Sequence, residues 1–131
     1  MAEPVRYGYR SFDRQWAIPD HRVGTYIRQP LWDAFSDRQV YFATLTSTSM
    51  SGGPALTVSP YVTDLHFFRG SYGAKDIHPL YRTDGSEAPN VSSVLLSTLA
   101  EAYRQSVGAE DVASYVFGLL GTGAYTAKFA E

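Results

Sequence analysis

The first 82 positions alternate short runs of β-branched and aromatic residues with turn residues such as Gly, Pro, Asp and Ser. Such runs are typical of strands, because branched and aromatic side chains pack well on a pleated surface. The clearest run is 39–46, and a short helical turn is expected at 31–35. Pro60 should confine its own segment to a sheet edge or interrupt it. Further extended segments are expected at 7–18, 23–27, 55–62, 64–68 and 77–81.

After position 90 the apolar period changes to that of a helix. Apolar residues recur three and four positions apart over 91–102, which predicts a first helix. Asn90 or Ser92 is available to cap its start, because short polar side chains can accept hydrogen bonds from the first backbone N–H groups. Gly108 is available to end it.

A second helix is expected at 109–120, because acids occupy its first turn, where the helix macrodipole favours negative charge. Its expected inward-facing residues are Val112, Val116, Leu119 and Leu120. Thr122 can cap a third helix, which is still running at Glu131 with no residue to end it. We therefore expect the chain to be a fragment of a larger polypeptide.

These elements predict an α+β fold, with a small mixed or antiparallel β-sheet in residues 5–82 followed by a C-terminal helical unit over 91–131. A length of 131 residues and a hydrophobic content of 44% suit one domain with a real core. We expect a single domain, 1–131, with a β-rich part over 1–82 and a helical part over 90–131.

The basic and aromatic residues lie mostly before Thr83. Residues 1–82 hold nine of the eleven Lys and Arg and fourteen of the nineteen aromatic residues, with a net charge of +2, whereas 83–131 has a net charge of −4. Arg beside aromatic residues suits a planar, anionic partner such as nucleic acid, because guanidinium pairs with phosphate or guanine and stacks on rings. The alternative is an ordinary β-rich core edged with Arg.

The chain contains no Cys, which excludes disulfides, thiolate zinc sites and a cysteine nucleophile. No stretch approaches the ~20 apolar residues that a membrane span requires, and the N-terminus has no apolar signal segment. We expect a cytoplasmic protein with no membrane partner.

Motifs that would drive chemistry on nucleic acid are missing. The stretch 70–75 lacks the spacing of a phosphate-binding loop, and neither Lys has an acid two positions before it, as a common nuclease core would require. Ser59-Pro60-Tyr61 lacks the second proline of an amino-methyltransferase loop. We expect no catalytic residue and no cofactor in this chain.

The three histidines are His21, His66 and His78. Asp64 and His66 are two positions apart and would share one face of the expected strand. Two ligands do not make a metal site, so we expect a hydrogen-bonded structural pair and no bound metal. A small stand-alone hydrolase that uses His66 with a nearby Ser or Asp is an alternative, although no G-x-S-x-G motif supports it.

Donors suited to DNA are present in several clusters. Guanidinium and carboxamide groups donate to base edges and phosphates, and hydroxyl-rich or glycine-flanked loops approach phosphates closely. For each residue alone, solvated surface or an intramolecular ion pair is the alternative. The candidate DNA-binding residues are Arg14, Gln15, Arg22, Arg28, Thr46, Thr48, Arg69 and Lys75.

Seven segments in a fixed order cover nearly the whole chain. They are YGYRSFDRQW at 7–16, RQPLW at 28–32, DLHFFRG at 64–70, HPLY at 78–81, PNV at 89–91, EDVASYV at 110–116 and AYTAKFA at 124–130. This ordered set resembles the C-terminal specificity region of type ISP restriction-modification enzymes, in the form common in actinobacteria.

The resemblance implies a target-recognition domain that is not itself an enzyme. Its parent polypeptide would carry nuclease, ATP-driven translocase and adenine-N6 methyltransferase modules outside this chain, and S-adenosylmethionine, ATP and Mg²⁺ would bind only to those modules. The implied partners are double-stranded DNA and the other modules of the same polypeptide. The alternative is a structural or interaction domain that docks modules and contacts DNA only non-specifically.

Overall fold

The computed structural model describes residues 3–24, 27–44, 53–67, 76–82 and 88–129. The strands are β1 (Val5–Arg10), β2 (Asp13–Ala17), β3 (Tyr41–Thr44), β4 (Leu56–Ser59) and β5 (Asp76–Pro79), and the helices are α1 (Gln29–Asp33), α2 (Ser93–Tyr103), α3 (Ala109–Leu120) and α4 (Gly123–Phe129). β1 and β2 form a hairpin, whereas β4, β3 and β5 form an antiparallel sheet in that order. The predicted α+β class is confirmed, with two sheets in place of the one expected.

Residues 7–18 form most of a hairpin, so the prediction of one extended segment there is wrong. The chain reverses at Ser11 and Phe12, and Arg6 then lies opposite Trp16. Two side chains hold the turn: the Ser11 hydroxyl donates to the carbonyl of Phe67 over 2.9 Å, and Arg14 donates to the turn carbonyls. The reversal contains neither Gly nor Pro, and Ser11 is held by a carbonyl that is distant in the sequence, so the local signal for a turn was weak.

The strands predicted at 39–46, 55–62 and 77–81 are confirmed in the described residues, with shorter bounds. β3 is the central strand, and its residues alternate between full burial at Tyr41 and Ala43 and partial burial at Phe42 and Thr44. β4 ends at Ser59, directly before Pro60, because proline has no N–H to donate to a neighbouring strand.

Two other predicted strands are wrong where the structure describes them. Residues 64–67 form a turn, because the Asp64 carboxylate accepts the backbone N–H of His66 over 2.8 Å and so replaces a sheet partner. Val23 also lies in a turn, where its N–H donates to the Asp20 carbonyl over 3.0 Å. Thr25, Tyr26 and Phe68 lie outside the described residues.

The three predicted C-terminal helices are confirmed, but their caps differ from prediction. α2 follows Ser92, whose side chain makes no capping hydrogen bond, and it ends at Arg104 in the left-handed conformation (φ 55°), four residues before Gly108. Gly108 instead precedes α3, where its N–H donates to the Asp111 carboxylate over 2.8 Å. Thr122 precedes α4, but its hydroxyl donates back to Leu119.

One apolar cluster joins the hairpin, α1 and the central strand. Leu31, Tyr41 and Val62 are buried together, and Tyr7 and Trp32 pack against them with their rings stacked 5.9 Å apart. The Tyr41 hydroxyl is satisfied by the Leu31 carbonyl at 2.7 Å. The hairpin is thereby held against the rest of the domain.

A second cluster joins β5 to α3 through the buried residues Leu80, Tyr81 and Ala109. Beside it, the buried Gln39 side chain donates to the carbonyls of Ala34 and Tyr81. The helical part therefore packs on the three-stranded sheet through α3.

Helix α2 contributes no buried residue to these clusters, and Val94 and Leu95 are exposed. In α3, Leu119 is 45% exposed, so the prediction that it faces inward is wrong. Across the described residues, no helix combines the length and the apolar character that a bilayer crossing requires.

Candidate nucleic-acid interface

The outer surface of the β1–β2 hairpin carries exposed aromatic rings beside arginines. Because Arg6 and Trp16 are direct cross-strand partners, the Arg6 guanidinium lies 4.4 Å from the centre of the Trp16 ring. The Trp16 side chain is nevertheless 62% exposed, and Phe12 in the turn is fully exposed. Stacked Arg and aromatic groups of this kind can contact both phosphates and bases.

Arg10 lies on the same strand, at its end directly before the turn. Its guanidinium lies 4.3 Å from the centre of the Tyr9 ring and 3.6 Å from a carboxylate oxygen of Asp64. Its side chain remains 45% exposed. An exposed ion pair of this kind contributes little to stability, so it leaves Arg10 able to exchange Asp64 for an external phosphate.

Asp64 organises the polar groups beneath the hairpin. One of its oxygens accepts the Tyr7 hydroxyl and the other contacts Nδ1 of His66, each at 2.8 Å. Burial acts to raise the pKa of Asp64, but hydrogen bonds from the His66 N–H and the Tyr7 hydroxyl outweigh it and hold that pKa below its usual range. Burial raises the pKa of Tyr7, and its hydrogen bond to Asp64 raises it further.

Arg28 lies beside this cluster and donates to the backbone carbonyl of Thr63. Burial lowers the pKa of Arg28, an effect opposed by the neighbouring Tyr7 and Asp64. The Arg28 head group therefore helps to hold the 62–64 segment, which pairs with β1 through Gly8 and Thr63.

The other described candidates also have partners within the chain. Arg14 donates to three backbone carbonyls of the hairpin turn and lies over the rings of Tyr61 and Phe67. Gln15 donates to Asp13 over 3.1 Å. Arg22 pairs with Asp20, and hydrogen bonds from Arg22 hold the pKa of that carboxyl well below its usual range.

The remaining four candidates, Thr46, Thr48, Arg69 and Lys75, lie outside the described residues. Arg14 and Gln15 are consecutive residues of β2, whose side chains point to opposite faces of the hairpin, and Arg22 lies in the turn that follows it. All eight residues remain predictions as DNA contacts.

Four residues of the hairpin surface were not among the candidates: Arg6, Arg10, Phe12 and Trp16. The sequence spacing of Arg6 and Trp16 about a turn at 11–12 would have paired them, had the hairpin been recognised. Phe12 was assigned to an extended segment entering the core, yet it is the most exposed large apolar residue that the structure describes.

The geometry gives no support to a hydrolytic site. Asp64 and His66 form the expected hydrogen-bonded pair within one turn, and no group of three potential metal ligands occurs among the described residues. His78 borders a cavity of about 280 Å³ between the three-stranded sheet and α3. Among the described residues, neither a carboxylate nor a Ser hydroxyl lines that cavity.

No curated protein and no solved structure is significantly similar to the chain. The family model of the type ISP C-terminal specificity domain matches residues 1–131, which is the whole chain. This family description suggests target recognition in a restriction-modification enzyme, which is consistent with the exposed Arg and aromatic residues of the hairpin. The chain belongs to the type ISP C-terminal specificity domain family, as its ordered sequence segments predicted.

Proposed function

We propose that this domain recognises a specific sequence in double-stranded DNA and presents an adenine within it to an N6-methyltransferase module of the same polypeptide. Recognition of an unmodified site would also direct cleavage by a nuclease module. Under this proposal S-adenosylmethionine, ATP and Mg²⁺ bind to the other modules, and this chain supplies selectivity alone.

The match of the specificity-domain family to the entire chain carries the proposal. The hairpin supports it, because Arg6 stacks on the exposed ring of Trp16 along the strands and Arg10 stacks on the exposed ring of Tyr9 directly before the turn. Phosphate contacts position a protein on the duplex, and guanidinium contacts in the major groove discriminate guanine from other bases.

Exchange of the domain tests the proposal. In the intact enzyme, residues 1–131 are replaced by the equivalent domain of a family member that modifies a different sequence, and N6-methyladenine is mapped across the genome of a host that lacks it. The expected result is that the modified sequence changes to that of the donor. An unchanged modified sequence would contradict the proposal.

Salt dependence tests the predicted phosphate contacts. Arg69→Ala and Lys75→Ala in the intact enzyme should each weaken DNA binding and reduce the slope of log affinity against log salt by about one. Lys128→Ala is the matched control, because Lys128 lies on α4 beside Phe129. Unchanged binding in both test variants would remove these residues from the interface.

Module docking is a second candidate function of the same domain. Tyr103 on α2 and Tyr115 on α3 are 68% and 71% exposed, and both line one groove between these helices. Exposed aromatic residues are enriched at protein interfaces. If docking is the only function, the domain exchange should impair assembly of the enzyme while the modified sequence stays the same.

A further inference from the structure

The side chain of Phe12 is exposed to solvent at the tip of the hairpin. Its side chain is 102% exposed, whereas the next most exposed large apolar residues of the described chain, Val94 and Tyr115, are each 71% exposed. An exposed apolar residue needs no explanation by itself, since protein surfaces contain many. The position of Phe12 at a protruding turn, surrounded by ordered polar contacts, distinguishes it from those residues.

The turn that carries Phe12 is anchored on both sides. Ser11 donates to the Phe67 carbonyl over 2.9 Å, and Arg14 donates to the carbonyls of Arg10 and Ser11 over 2.9 and 3.2 Å. Phe67 is itself buried, so the anchor belongs to the core. A turn whose backbone is anchored in this way loses little further backbone freedom when it binds.

The surroundings of Phe12 favour nucleic acid over an apolar protein pocket. Arg10 precedes the turn and Arg6 lies further along the same strand, each stacked on an exposed ring. Asp13 is the acidic residue at the tip, and it accepts a hydrogen bond from Gln15. A protruding apolar side chain flanked by arginines matches a duplex, where phosphates border a stack of flat bases.

We infer that the hairpin enters a groove of the target duplex and that the Phe12 ring inserts between two adjacent base pairs, while Arg6 and Arg10 contact the flanking phosphates. This inference rests on the proposed function. Apolar wedges of this kind partly unstack one base step and bend the duplex. Phe12 would thus make recognition depend on how easily the sequence at that step unstacks.

The test uses the intact enzyme and duplexes of its recognised sequence, each with a single 2-aminopurine at a different position. The fluorescence of this base rises when it unstacks. The target adenine is one of the positions, so unstacking there is separated from unstacking elsewhere. We expect enhanced fluorescence at one further step, its loss in Phe12→Ala, and its retention in Phe12→Leu, which keeps an apolar wedge.

Phe12→Ala should also weaken specific binding roughly tenfold, in the range of a lost base–aromatic contact. Phe129→Ala is the matched control, because Phe129 is an exposed phenylalanine on α4. The melting temperature of Phe12→Ala should equal that of the wild type, since the side chain is fully exposed.

Three results would overturn the inference. If wild-type enzyme binds its sequence but unstacks no base except the target adenine, the wedge is wrong and the proposed function stands. The same conclusion follows if Phe12→Ala keeps the full enhancement. If the wild-type enzyme shows no sequence preference at all, both the proposed function and the inference fail.

Discussion

Gln39 holds together the segment after α1 and the exit of β5, so its replacement should strongly destabilise the fold. The side chain is 1% exposed and uses both ends of its carboxamide. Its nitrogen donates to the carbonyls of Ala34 and Tyr81 over 2.6 and 2.9 Å, and its oxygen accepts the Tyr81 N–H over 3.0 Å. Gln39→Leu keeps a similar volume but removes these three bonds, and also a fourth that the partly buried Val40 N–H donates to the same oxygen over 3.2 Å.

The expected loss follows from the three buried bonds, which leave the Ala34 carbonyl and both backbone groups of Tyr81 without this partner. A buried polar group without a hydrogen bond costs at least about 1 kcal/mol, so the free energy of unfolding should fall by about 3 kcal/mol. An unfolding entropy of about 2.1 cal/mol/K per residue gives about 0.28 kcal/mol/K for a chain of this length. The melting temperature should therefore fall by about 11 °C.

Thermal unfolding followed by circular dichroism measures this change. Gln105→Leu is the matched control, because Gln105 is exposed and its loss should change stability by no more than about 0.5 kcal/mol. A drop in melting temperature below about 3 °C for Gln39→Leu would refute the reasoning, since one unsatisfied group alone should exceed it.

Two further predictions concern the close packing at Gly8 and the carboxylate of Asp64. Gly8→Ala places a methyl group 3.0 Å from the buried ring of Phe67 and should destabilise by about 1–3 kcal/mol in urea unfolding, whereas Gly118→Ala on α3 meets nothing within 4 Å and should stabilise by about 0.5–1 kcal/mol. Equal effects of the two substitutions would contradict the packing. Because the folded-state pKa of Asp64 is lowered, its stabilisation is complete above its ordinary pKa of about 4 and is lost as the pH falls through the folded-state value. Stability should therefore fall less steeply in acid for Asp64→Asn than for the wild type, and identical slopes would exclude this role.

The local sequence pattern was sufficient to predict those helices and strands whose formation depends mainly on their own residues. α3 has the bounds expected from its apolar period and its acidic first turn, and the Asp111 carboxylate accepts a hydrogen bond at its start. β3 follows from a run of branched and aromatic residues. In each element the local pattern of apolar residues is typical of one type of secondary structure, so neighbouring residues were enough to predict it.

Distant contacts decided the elements that were mispredicted. The hairpin turn is held by the Phe67 carbonyl, 56 residues from Ser11. Asp64 forms a turn rather than a strand while accepting the Tyr7 hydroxyl from 57 positions away. Neither pairing leaves a local pattern, because each depends on chain segments that only folding brings together.

The sequence by itself determined the family, the α+β class and the concentration of arginines and aromatic residues before Thr83. It did not determine which of those arginines are available to a partner. The tertiary structure directs Arg14 and Arg28 to backbone carbonyls and leaves Arg6 stacked on an exposed ring. The physical reason is that a guanidinium donates hydrogen bonds to whichever acceptors lie within reach, and the tertiary structure decides which acceptors those are.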